Sequence, residues 1–134
     1  MTSTVTADLW WIRRDMRLAD NPALLAALES GAAAPVFPWG DPLSRWSGRR
    51  IAHLARVLFS LREDAGGAVA VRRGSPADVL VAVARETGAT AVHAQREYSP
   101  AGMREQEAVE AALAVSGVEL RFVGSPYAVA PDRI

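Results

Sequence analysis

The chain contains no cysteine and no lysine. Without cysteine it forms no disulfide and offers no thiolate, as expected of a cytoplasmic protein. Without lysine it has no P-loop lysine, and neither G-x-x-x-x-G-K-[ST] nor G-x-G-x-x-G follows the first apolar run. Ordinary NTP or dinucleotide binding through such loops is therefore not expected. All fifteen basic residues are arginine, a bias read as codon composition, since bidentate pairing needs only a few guanidinium groups. Histidine is limited to His53 and His93, and with no carboxylate seen to cluster beside either, no metal site is expected. Long apolar runs are missing too: nothing approaches the roughly 18 residues of a membrane span, and Met1 to Thr6 lacks the regions of a signal peptide. Fifteen acidic residues balance the arginines, which argues against strong nucleic-acid binding by this chain alone. No serine, histidine and aspartate spacing suggests a nucleophile elbow, so no catalytic residue is assigned.

What is present is a repeated grammar. At 134 residues the chain has the length of one domain. Leu9-Trp10-Trp11-Ile12 is a short apolar run ending in charge, as in a strand buried on both faces. A charged loop follows, then Asn21 as N-cap and Pro22 at the first helical position, with Leu24, Leu25 and Leu28 as an apolar stripe. Ala33 to Phe37 reads as a second strand, closed by Pro38-Trp39-Gly40-Asp41-Pro42. Ser47 caps a helix with Ile51, Leu54, Leu58 and Leu61 at helical spacing. Ala68 to Val71 forms the third strand, and Ser75-Pro76-x-Asp78 opens a helix that buries Val79, Leu80 and Val83 before Gly88. Thr90 to Ala94 is the fourth strand, and Ser99-Pro100 starts a helix carrying Val109, Ala112 and Leu113, ended by Gly117. Val118, Leu120 and Phe122 alternate with Glu119 and Arg121, the pattern of an edge strand exposed on one face.

Five strand–helix alternations with short connections predict an α/β, Rossmann-like fold. Its five-stranded parallel sheet should run in the order 3-2-1-4-5, with helices on both faces. Residues 1–124 form the domain, and 125–134, with Pro126 and Pro131, start a connection. Ligands of such sheets bind beyond the carboxyl ends of the strands. Those ends are Arg13-Arg14-Asp15, Pro38 to Asp41, Arg72-Arg73 and Gln95 to Tyr98, a rim suited to an anionic or planar conjugated ligand. The structural alternative is that Arg13, Arg14 and Arg17 pair with Asp15, Asp20 or Asp41. His93 is expected in the core and His53 at the surface, while Glu105 and Glu107 are expected on an exposed helix face.

The opening words, Trp11-x-Arg13-Arg14-Asp15-Met16-Arg17-Leu18-x-Asp20-Asn21-Pro22-Ala23-Leu24, closely resemble the start of the DNA photolyase and cryptochrome family. The resemblance continues through Val71-Arg72-Arg73-Gly74-Ser75-Pro76-x-x-Val79-Leu80, Tyr98-x-Pro100, and Gly124 with Ala130-Pro131. It implies the N-terminal α/β domain of a two-domain protein. A C-terminal helical domain that holds FAD and binds damaged DNA is the implied partner, and no membrane is involved. The resemblance implies that the whole protein is a deoxyribodipyrimidine photolyase, with a cryptochrome photoreceptor or a free-standing small-molecule or nucleotide-binding module as alternatives. It also implies a light-harvesting chromophore: 8-hydroxy-5-deazaflavin first, then FMN or FAD, then folate. Ser99 stands where folate-binding members can carry glutamate. By this reading Arg14, Phe37, Trp39, Arg50 and Glu97 are the chromophore-binding residues, while Trp10 and Trp11 belong to the sheet core.

Overall fold

The computed structural model describes residues 7–13, 21–29, 31–40, 47–64 and 69–123. Strands β1 (Asp8–Trp11), β2 (Ala33–Trp39), β3 (Ala70–Arg73), β4 (Ala91–Ala94) and β5 (Glu119–Phe122) alternate with four helices. These are α1 (Pro22–Leu28), α2 (Gly48–Asp64), α3 (Pro76–Thr87) and α4 (Pro100–Val115). Every strand pair is parallel and the order is β3-β2-β1-β4-β5, as the alternation predicts. β1 lies in the middle, and the chain winds out to β3 before returning past β1 to β4 and β5. No described helix is long and apolar enough to cross a membrane.

The sheet separates two cores. Leu9, Trp11, Val36, Val92 and Ala94 face α3 and α4 and pack with Val79, Leu80, Val83, Val109 and Leu113. Trp10 and Phe37 face the other way, with Ala23, Leu24 and Ala27 of α1 and Leu54, Leu58 and Leu61 of α2. Adjacent tryptophans thus serve opposite cores because successive strand side chains alternate between faces. Three helices begin on the expected caps: Asn21, Ser75 and Ser99 accept the backbone N–H three residues on, with proline next in each case. α3 ends at Gly88, whose φ of 70° lies in the left-handed region that glycine tolerates.

Two local expectations change. α1 buries Ala23, Leu24 and Ala27 while Leu25 stays 59% exposed and Leu28 is exposed as well. The small alanines let this two-turn helix sit close to the sheet, and that fixes which stripe faces inward. β2 runs through Pro38 to Trp39 instead of stopping at Phe37. The Val36 carbonyl accepts from Ile12 and the Trp39 carbonyl from Gly74, so alternate residues of β2 address β1 and β3. Pro38 therefore faces β1 beyond its last paired residue, and Pro35 faces β3 before its first. Neither missing N–H breaks the ladder, which is why proline is tolerated in an inner strand. Register with the longer β2 carries β3 to Arg73, so Arg72 and Arg73 are strand residues.

Candidate functional site

The carboxyl ends of β1, β2 and β4 meet where the strand order reverses, and Arg13 leaves β1 there. Its side chain is 3% exposed, and its guanidinium lies 4.4 Å from the Trp11 ring centroid. It donates to the carbonyls of Gln95 (3.3 Å) and Gly102 (3.2 Å), to Gln106 Oε1 and to Glu105 Oε1 (3.2 Å). Glu97 Oε2 stands 3.5 Å from the same group. Gln106 Oε1 also accepts the Glu97 backbone N–H at 2.7 Å, which ties the loop after β4 to α4. Arg13 is thus a structural ion-pairing arginine, and its acidic partners among the described residues are Glu97 and Glu105. Asp15, Asp20 and Asp41 lie outside the described residues.

Two carboxylates share this one cation. Glu105 is half-buried by its position on α4, in contrast to the exposed face expected from the sequence. Burial pushes its pKa up, Arg13 opposes that rise, and the negative charge of Glu97 adds to it. Gly102 is what lets α4 approach so closely. A Cβ there would stand 2.8 Å from Glu97 Oε2 and 2.9 Å from Ser99 Oγ, closer than real contacts allow. Ser99 Oγ already accepts the Gly102 N–H at 3.1 Å as the helix cap.

An aromatic group occupies the opposite side of the sheet. Phe37 is buried and Trp39 half-buried, their rings edge to face with centroids 6.2 Å apart. Phe37 pairs in register with Val71 and Trp39 with Arg73, and both of these β3 residues are exposed. Arg72 belongs to the α3 side, where it pairs with Glu86 at the surface. That bond draws the Glu86 carboxyl below its usual value.

Of the five residues proposed from the sequence, the four that are described do not form one cluster. Phe37 and Trp39 stand together. Glu97 stands with Arg13 on the α4 side, and Arg50 lies exposed in the first turn of α2, its N–H donating to Ser47 Oγ at 3.2 Å. Arg14 lies outside the described residues. Sequence reading put Arg73 on the rim but not beside the aromatic pair, and it missed Val71; only the β2–β3 register sets both there. Sequence reading also missed Gln106, although a polar residue on the inward line Gly102, Gln106, Val109, Leu113 was the available signal. His93 is a core residue as expected, but its Nε2 meets Asp8 Oδ2 at 2.9 Å, so a carboxylate does stand beside it.

Comparison with known proteins agrees with this architecture. The profile of the DNA photolyase family matches residues 8–134. The solved class III photolyase of Agrobacterium tumefaciens superposes with a TM-score of 0.85 and 33% identity, over 99% of this chain and 29% of that one. Cryptochrome-1 of Sinapis alba is 28% identical over 98% of this chain and 28% of its own length. An archaeal photolyase structure from Sulfolobus tokodaii, described as holding two FAD molecules, shares the fold. Its TM-score is 0.72 and its identity 21%, over 87% of this chain and 28% of that one. The chain spans less than a third of the length of the curated relatives it matches first. With the parallel sheet, its strand order and a family match that runs from β1 to the last residue, the chain belongs to the DNA photolyase family.

Proposed function

We propose that this chain is the N-terminal, light-harvesting domain of a deoxyribodipyrimidine photolyase, holding an antenna chromophore at the carboxyl edge of its sheet. The observation that carries the reading is the Phe37–Trp39 pair at that edge, with the half-buried Trp39 ring beside exposed Arg73. Such a surface suits a flat conjugated ring with a polar end. Phe37 and Trp39 suit the ring of such a group; by the sequence assignment Arg14 and Arg50 would meet its polar end, and Glu97, held with Arg13 on the other side of the sheet, would have to reach a ring or ribityl donor across the sheet edge. When bound, the chromophore would collect light and pass excitation to an FAD. That FAD and the damaged DNA would be held by a C-terminal helical domain.

Deazaflavin is preferred to flavin, and flavin to folate. The description of the archaeal relative as holding two FAD molecules with a light-harvesting role supports a flavin-like ring as the class. Use of the Ser99 hydroxyl as a helix cap weighs against folate at that position.

The test is made on the protein carrying its helical domain. Chromophore content and excitation transfer to FAD are compared in wild type, Arg14→Ala, Trp39→Ala and Glu97→Gln. Loss of one enclosed polar contact should weaken retention about ten- to a hundredfold, equivalent to roughly 1–3 kcal/mol. Wild-type content and transfer in all three variants would refute the site. A second reading, a cryptochrome-type photoreceptor, is supported by the match of 98% of this chain to the Sinapis alba protein. Light-driven repair of pyrimidine dimers by the whole protein decides between the two.

A further inference from the structure

Two carboxylates reach for one nitrogen of Arg13. Its Nη1 donates to the Gln95 carbonyl at 3.3 Å and to Gln106 Oε1. Its Nη2 donates to the Gly102 carbonyl and to Glu105 Oε1, both at 3.2 Å. Each of these nitrogens carries two hydrogens, so the four acceptors take all of them. Glu97 Oε2 stands 3.5 Å from the same Nη2, within ion-pairing distance. Both hydrogens of that nitrogen are already directed to Gly102 and Glu105. One N–H therefore has two carboxylates competing for it.

The surroundings sharpen the competition. The side chain of Arg13 is 3% exposed, that of Glu97 14% and that of Glu105 38%, so water screens the group weakly. The charges that act on Glu105 are those of Arg13, from the end of β1, and Glu97, from the loop after β4. On α4 itself the neighbours one turn away are Ala101, Gly102, Ala108 and Val109, none of them charged. The other elements packed on α4 are α3 and β5. Their Glu86 and Glu119 are paired with Arg72 and Arg121, and Asp78 and Arg85 lie exposed. Burial pushes the Glu105 carboxyl up, which makes it the place where a proton enters. An N–H offered to a neutral acid and a carboxylate goes to the carboxylate, because charge-assisted bonds are shorter and stronger.

The room for such a transfer is present. Gly102 has no Cβ, and one placed there would stand 2.8 Å from Glu97 Oε2. The Glu97 main chain is pinned by its N–H bond to Gln106 Oε1 at 2.7 Å, which leaves the side chain to move. An approach of about 0.7 Å brings its oxygen to the distance of a charge-assisted bond.

We propose that a proton taken up at Glu105 hands this N–H of Arg13 from Glu105 to Glu97, a proton-operated exchange at the carboxyl edge of the sheet. With Glu105 charged, α4 holds the arginine through a carboxylate. With Glu105 protonated, the loop after β4 holds it. Gln95, Gly102 and Gln106 keep Arg13 in place in both states, so the exchange repositions Glu97 without loosening the sheet. It does not depend on a bound chromophore.

The test uses the 134-residue chain, labelled with carbon-13 and nitrogen-15. Through-hydrogen-bond couplings from Arg13 Nη2 to side-chain carboxyl carbons are followed as pH is stepped through the titration of Glu105, read from its own carboxyl carbon. Above the midpoint the coupling should connect Arg13 to Glu105. Below it that coupling should be lost and one to Glu97 should appear, with the Glu97 carboxyl shift moving at the same midpoint. Glu105→Gln, which keeps the shape without the charge, should show the Glu97 coupling throughout. Glu107→Gln, exposed on the same helix, should leave the exchange unchanged. Any of four results would overturn the proposal. They are a Glu105 coupling that survives protonation, a Glu97 coupling already present above the midpoint, no coupling to either carboxylate, and an exchange that persists in Glu105→Gln.

Discussion

Arg13 is held by five groups drawn from one helix and the loop before it, and its removal would take away the guanidinium that Glu97 and Glu105 share. Breaking a buried pair by deleting one partner costs about 3–5 kcal/mol, so Arg13→Leu should lower the urea midpoint by that equivalent. Gly102→Ala should also destabilise, by about 1–3 kcal/mol, because the new methyl meets Glu97 and the Ser99 cap. Glu105 makes a prediction of opposite sense to ordinary acid denaturation. Its pKa is raised on folding, chiefly by burial, so the folded chain holds that proton more tightly than the unfolded one. Its contribution to stability is complete below the usual glutamate value and is lost as pH rises through the raised one. Glu105→Gln should flatten stability over that interval, read from urea unfolding at stepped pH. Glu86 and Glu119, lowered by their arginine partners, contribute in the other direction and lose their effect as pH falls.

Among the elements, the caps are the features most fully legible in the sequence. Asn-Pro and Ser-Pro pairs each mark a helix start because one side-chain oxygen and one missing N–H solve the same local problem. Asn21→Ala should cost about 1–2 kcal/mol, and Ser75→Ala, at an exposed cap, nearer 1. Thermal denaturation of the two variants checks the ranking. The ends of β2 and β3 were not legible, since proline argues for stopping a strand. Only pairing with β1 and β3 shows that Pro35 and Pro38 face gaps in the ladder. The inward stripe of α1 was misjudged for a related reason. Leucines and alanines share its surface, and the fit against the sheet keeps Leu24 inside but takes Ala23 and Ala27 in place of Leu25 and Leu28.

At the scale of the molecule, the two cores share β1 and β2, so neither survives loss of the other. Leu80→Ala on the α3 side and Leu58→Ala on the α2 side should each cost about 2–5 kcal/mol. In both variants, tryptophan fluorescence and far-ultraviolet circular dichroism should report one coincident transition. Separate transitions would mean that the faces of the sheet unfold independently.

By itself the sequence determined the order and type of the elements, the parallel sheet and its 3-2-1-4-5 arrangement. Those follow from local periodicity, capping chemistry and right-handed crossovers, all readable along the chain. The tertiary structure alone decided which charged groups meet. Arg13 reaches Glu97, Glu105 and Gln106 across more than 80 positions, and Asp8 reaches His93 across 85. Register set Trp39 beside Arg73 and turned Arg72 away to Glu86. Pairing between distant residues depends on how strands align and how closely helices approach, and no local pattern records either.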